Sequence, residues 1–153
     1  MNEFTTLILI PSVMALLAAI ITWTTVQQHK LAKERFKLDM FEKRFAVYKG
    51  PQEFLTIILV RGGNFDLNQL FEFRRKTQDS TFLFGEDIPQ YIDDIDKKAL
   101  EMQIAREAFE PLPVGQERHE LVKKASRLLG ELTDELPKLK EVFAPYLRFD
   151  KWK

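Results

Sequence analysis

Two histidines, a run of aspartates and a pair of glycines are the residues of this 153-residue chain that come nearest to chemistry. "GQERHEL" sets His119 between Glu117 and Glu120 at the start of a predicted helix, where an imidazole and two carboxylates would serve proton transfer or hold a cation. The spacing does not fit a zinc helix, because an HExxH pair needs a second histidine four residues on. The other histidine, His29, stands alone at the edge of an apolar segment. "IDDID" gathers Asp93, Asp94 and Asp96, but helical periodicity spreads them around the axis, and the glycine and terminal Glu of a calcium loop are missing. Gly62-Gly63 follows an apolar run and reads as a helix stop, not a phosphate cradle. No GxGxxG, P-loop or GxSxG motif occurs, and with no cysteine there is no disulfide, thiol nucleophile or thiolate metal site. The expectation is a chain without catalytic, cofactor-binding or metal-ligating residues, and not an enzyme.

The elements that would position any site begin with the N-terminus. No charged residue occurs from Phe4 to Gln28, and "LILIPSVMALLAAIITW" is almost wholly apolar. A helix rises about 1.5 Å per residue, so roughly 20 residues cross the hydrocarbon of a bilayer, and this segment predicts a transmembrane span over 1–28. A cleaved signal peptide would need a basic flank, a shorter apolar core and a small-x-small cleavage site, whereas only Glu3 precedes this run and Trp23 closes it. Pro11 falls in the first turns, where a missing N–H costs least. Lys30, Lys33, Arg35 and Lys37 follow the span and no Lys or Arg precedes it, which by the positive-inside bias puts the N-terminus outside and the rest in the cytoplasm. The same four bases are candidates for contact with anionic lipid head groups.

Beyond the span the helix shows no breaker up to Lys49. Leu31, Leu38 and Phe45 recur every seven residues, with Phe41 and Tyr48 at the second apolar position of the heptad. These five residues form a stripe that serves either as core or as an interaction face. The reading is therefore a stalk helix over 29–49 within a domain over 29–153, ended by "YKGP", where Gly50 and Pro51 predict a stop.

The rest of the chain reads as helices. "FLTIILV" is too short to span a bilayer and predicts a separate buried central helix from Pro51 to Gly62, with a strand or a re-entrant segment as lesser readings. Asp66 is placed to cap a helix that continues through "STFLF" to Gly85, with a bend near Asp79-Ser80. Ile88, Ile92, Ile95, Ala99, Met102 and Phe109 make the stripe of an amphipathic helix. After the loop "EPLPVGQ", Leu121, Ala125, Leu128, Leu132, Leu136, Leu139 and Phe143 keep phase across Pro137, which predicts one helix with a kink rather than two, ended by Pro145. The fold class is all-α: a single transmembrane helix continuing into an antiparallel cytoplasmic bundle of about five helices.

The 23 Lys and Arg balance the 23 Asp and Glu, so no overall field recruits nucleic acid. Locally the charge is uneven: residues 29–49 carry seven bases against three acids, and 86–110 eight acids against three bases. Solvated faces with modest pair energies are the expectation for both, with apposition of the two helices, inside the bundle or between neighbouring copies, as the lesser reading.

"FEKRFAVYKG", "STFLFGEDIPQYIDDI", "PLPVGQERHELV" and "FAPYLRF" resemble the blocks of a widespread group of uncharacterised small bacterial proteins, over about Phe41 to Phe149. The resemblance implies one N-terminal span and a cytoplasmic helical domain, and carries no activity to transfer. In "FLFGED" the expectation is that Phe82 and Phe84 dock while Gly85 turns the chain. Together these features predict a single-pass inner-membrane protein whose partners are the bilayer and either an unidentified protein or a second copy of itself. The alternative is a membrane-acting effector or channel accessory.

Overall fold

The computed structural model describes the backbone of residues 3–148 and the side chains of residues 13–148. Among the described residues the regular structure is entirely helical: α1 Glu3–Val60, α2 Leu67–Thr77, α3 Ser80–Leu83, α4 Asp87–Phe109 and α5 Gln116–Leu147. Since α3 is a single turn of four residues, the count is four helices and a turn, not five. The chain divides into two units between Asp39 and Met40, the division falling inside α1.

In the first unit the described large apolar side chains, from Val13 through Val26 and on to Leu38, are exposed. Among the described residues no helix is long and apolar enough to cross a membrane. The expected span therefore gains no support there; the side chains of its first part, residues 4–12, lie outside the described set.

The second unit holds the core. α4 and α5 pack antiparallel: Tyr91 meets Glu135, Lys98 meets Glu131 and Glu101 meets Lys124, so numbers fall along α5 as they rise along α4. The stripe of α4 is buried at Ile88, Ile92, Ile95, Ala99 and Met102, with Phe109 half-buried. That of α5 is buried at Ala125, Leu128, Leu132, Leu139 and Phe143, and the helix passes through both Pro137 and Pro145 before ending at Leu147.

The stop expected at Gly50-Pro51 does not occur. Pro51 cannot donate to the carbonyl of Val47, which costs one backbone bond, yet Gly50, Pro51, Phe54, Leu55 and Ile58 are all buried along one face of α1. A Cβ at Gly50 would lie 2.9 Å from Thr77 Cγ2 and 3.2 Å from Lys76 Cβ, so this glycine admits the end of α2 and the packing outweighs the break. Nor is "FLTIILV" buried on all sides, since Leu59 and Val60 are exposed.

The real stop is Gly62-Gly63, with φ of 58° and 79°. Gly63 N–H donates to Ile58 O at 2.8 Å and Gly62 N–H to Leu59 O at 3.3 Å, a Schellman closure that uses left-handed backbone open to glycine at little cost. Three residues later Asp66 caps α2: its Oδ1 accepts from Gln69 N–H at 2.9 Å, and Gln69 Oε1 accepts from Asp66 N–H at 3.0 Å. α2 ends at Thr77, and the expected single helix to Gly85 is interrupted at Gln78-Asp79. The interruption turns Leu83 and Phe84 inward and leaves Phe82 85% exposed, so Phe82 does not dock.

Candidate interaction surface

The five residues of the α1 stripe meet different environments. Leu31 and Leu38 are about half exposed, at 52% and 50%. Phe41, Phe45 and Tyr48 are half-buried and stacked in sequence, Phe41 on Phe45 at 5.6 Å between ring centres and Phe45 on Tyr48 at 5.7 Å. Tyr48 then meets Phe143 edge-on at 5.4 Å, and Phe143 meets Phe84 in the same way at 5.4 Å. The ladder follows from spacing, because side chains three and four apart on a helix lie one above the other. Edge-to-face contact where it reaches α5 is the arrangement that the ring quadrupole favours.

Arg44 closes this end of the second unit. Its Nε donates to Leu83 O at 2.8 Å and its Nη1 to Tyr146 O at 3.4 Å, while its Cζ lies 5.7 Å from the ring centres of both Phe84 and Tyr146. Burial lowers the pKa of Arg44, with the Tyr146 hydroxyl opposing that shift. Sequence reasoning counts Arg44 only as one of seven bases in 29–49. The missed signal is its place three residues after Phe41 and four before Tyr48, which sets a cation beside the aromatic stripe.

The candidate lipid contacts Lys30, Lys33 and Arg35 are exposed; Lys37 is partly covered and pairs with Glu34 at 3.9 Å. His29 and His119 are both exposed. The "IDDID" carboxylates are taken up in ion pairs. Arg74 grips Asp96 with two bonds of 2.7 and 2.8 Å, Lys97 meets Asp93 at 2.5 Å, and Lys98 meets Asp94 at 2.8 Å with Glu131 and Glu135 at 3.7 and 3.9 Å. The bond to Asp94 is the main reason that the Lys98 pKa is raised, and the bond to Asp96 raises that of Arg74.

The grooves follow the same logic. One of about 330 Å³ lies over Gly50, Phe54 and Phe73, and its rim carboxylates Glu53 and Glu72 are bridged by Lys76 at 2.5 and 3.6 Å. Among the described residues no group of three His, Cys, Asp or Glu is placed to hold a metal ion, and every buried side-chain nitrogen or oxygen has a hydrogen-bond partner. Arg74, Lys76 and Lys98 fasten helix to helix, whereas Lys37–Glu34 and Lys97–Asp93 are pairs within one helix. Large apolar side chains also lie open to solvent, among them Leu31, Phe36 and Leu38 on α1, Phe71 on α2 and Phe82 on α3. No protein-family model, curated protein or solved structure matches the chain.

Proposed function

We propose that this chain is a single-pass protein of the bacterial inner membrane, with its N-terminus outside, and that its cytoplasmic helical domain binds another protein or a second copy of itself. The observation that carries the reading is the exposure of α1: Val13, Met14, Leu16, Leu17, Ile20, Ile21, Trp23 and Val26 are between 48% and 68% exposed on a helix with no charged residue from Phe4 to Gln28. Burying a side chain of this kind is worth about 1.5–3 kcal/mol, so a row of them in water is a heavy penalty that lipid removes. Trp23 near the end of the run suits the headgroup level, and the bases from Lys30 to Lys37 suit the cytoplasmic side.

The role of the domain is read from what it presents. Several of its ion pairs tie helix to helix, as Arg74 to Asp96 and Lys98 to Glu131, whereas Phe36, Phe71 and Phe82 face solvent at 66%, 58% and 85% exposure, and large aromatic side chains are the usual anchors of protein contacts. A binding role suits such a surface better than a catalytic one. The test is a photo-crosslinking amino acid placed at Leu38, Phe71 or Phe82 in membranes. A discrete adduct from at least one position, either with one other protein or at twice the mass of the chain, is the expected result; no adduct from any of them counts against the reading.

A further inference from the structure

The end of α5 is fastened by side chains at a place where its own backbone is weakened. Pro145 has no N–H, so the carbonyl of Glu141 loses the bond that another residue would supply, and Pro137 leaves the carbonyl of Thr133 in the same position earlier in the helix. The fastening comes from outside α5. Phe143, fully buried, meets Tyr48 and Phe84 edge-on, and Tyr146 meets Phe84 edge-on at 5.2 Å. The Tyr146 hydroxyl donates to Asp87 Oδ1 at 2.7 Å. Its main-chain carbonyl accepts from Arg44, which also holds Leu83 O. A Cβ at position 85 would lie 2.9 Å from both the Tyr146 hydroxyl and Asp87 Oδ1, so a side chain there would have to displace that pair.

We propose that the last turn of α5, Arg44 and the turn from Leu83 to Asp87 form a latch that opens as one cooperative unit before the rest of the bundle, uncovering the aromatic ladder of Phe45, Tyr48 and Phe84. Proteins open locally in contiguous cooperative pieces; a helix end short of backbone bonds is the weaker part, and the side-chain ties it shares with its neighbours make them open with it. Ordinary fraying of a helix end differs in extent. It frees residues of α5 alone, whereas the latch frees both of its partners with it. Use of the uncovered ladder by a partner rests on the interaction reading; the opening itself does not.

Amide hydrogen exchange on the full chain in mild detergent, followed residue by residue, separates the two. Pro145→Ala restores a backbone donor within α5 and touches nothing in the turn before α4. The latch requires exchange at Phe84 and Gly85 to slow together with that at Ala144, Tyr146 and Leu147; slowing confined to α5 overturns it. Arg44→Met acts in the opposite direction, speeding exchange at Gly85, Tyr146 and Leu147 alike by about tenfold, as expected for loss of hydrogen bonds to a charged group. The amides of Met102 and Leu128 should keep their protection. If they accelerate by the same factor, the opening is global and there is no latch. Neither variant is read through membrane or partner binding, so failure here leaves the proposed function standing, and failure of that reading leaves the latch measurable.

Discussion

The two stretches of α1 treat their apolar side chains in opposite ways. Between Val13 and Leu38 nearly all large ones are exposed, whereas Val47, Phe54, Leu55 and Ile58 are 3% exposed or less. The sequence differs in the same sense. The first stretch is apolar around its whole circumference up to Val26, and a helix of that kind belongs inside a large core or a membrane. The second is apolar on one face, with Gln52, Glu53 and Thr56 on the other, as a helix at the edge of an aqueous bundle must be. On the proposed reading, the exposure of the first stretch reflects a different solvent.

The largest effects of substitution are expected in the core. Phe143→Ala or Phe73→Ala should lower the unfolding free energy of the second unit by about 3–5 kcal/mol in chemical denaturation, as truncating a buried Phe does. Ile20→Ala should leave that value unchanged, and an equal loss there would mean that Ile20 is core after all. Next in size, Leu17→Arg places a charge in the middle of the proposed span at a cost of about 2.5–3.5 kcal/mol. The expected outcome is a shift of the chain from the membrane pellet towards the supernatant with the helical content of the domain intact. Gly50→Leu sharpens the contrast within α1, since overpacking against Thr77 should destabilise the bundle by about 1–3 kcal/mol.

The smallest effect is electrostatic and concerns Tyr146. Its hydroxyl donates to Asp87, and that bond is the main reason that its pKa is raised. A tyrosine raised in the folded state contributes stability that is fully present below the ordinary value of about 10 and is lost as the pH rises through the folded value. Thermal unfolding of the domain should accordingly fall more steeply above that pH for the wild type than for Tyr146→Phe, which has no proton to lose. Identical slopes would show that the bond to Asp87 adds nothing.

Much of the second unit is legible in the sequence because long helices bury regular stripes. Ile88 to Met102 and Ala125 to Phe143 need only a period of 3.6 to be found, and the phase carried across Pro137 identifies one helix where composition alone suggests two. Asp66 and Gly62-Gly63 are legible for a different reason, since a cap and a left-handed turn each require particular residues. Local rules fail where distant packing decides. Gly50-Pro51 reads as a stop until Thr77 is seen against Gly50, and the bend expected near Asp79-Ser80 is a full interruption of the helix at Gln78-Asp79. Phe82 and Phe84 look equivalent as letters, yet the phase of a single turn exposes one and buries much of the other. Arg44 is invisible as a clamp because its partners, the carbonyls of Leu83 and Tyr146, lie 39 and 102 residues away. Of the candidate site, the stripe is legible as a spacing; which members stay open is not, because that depends on where Phe143 and Phe84 come to rest.

The claim on which the account turns is that Phe4 to Gln28 lies in lipid. Its most direct measurement compares the full chain with one that lacks residues 1–28 behind a new initiating methionine, after washing membranes at alkaline pH. The full chain should stay in the pellet, and the shortened chain should appear in the soluble fraction with helical circular dichroism and a cooperative thermal transition. Release of the full chain by the wash, or a shortened chain that still sediments with the membranes, would contradict it.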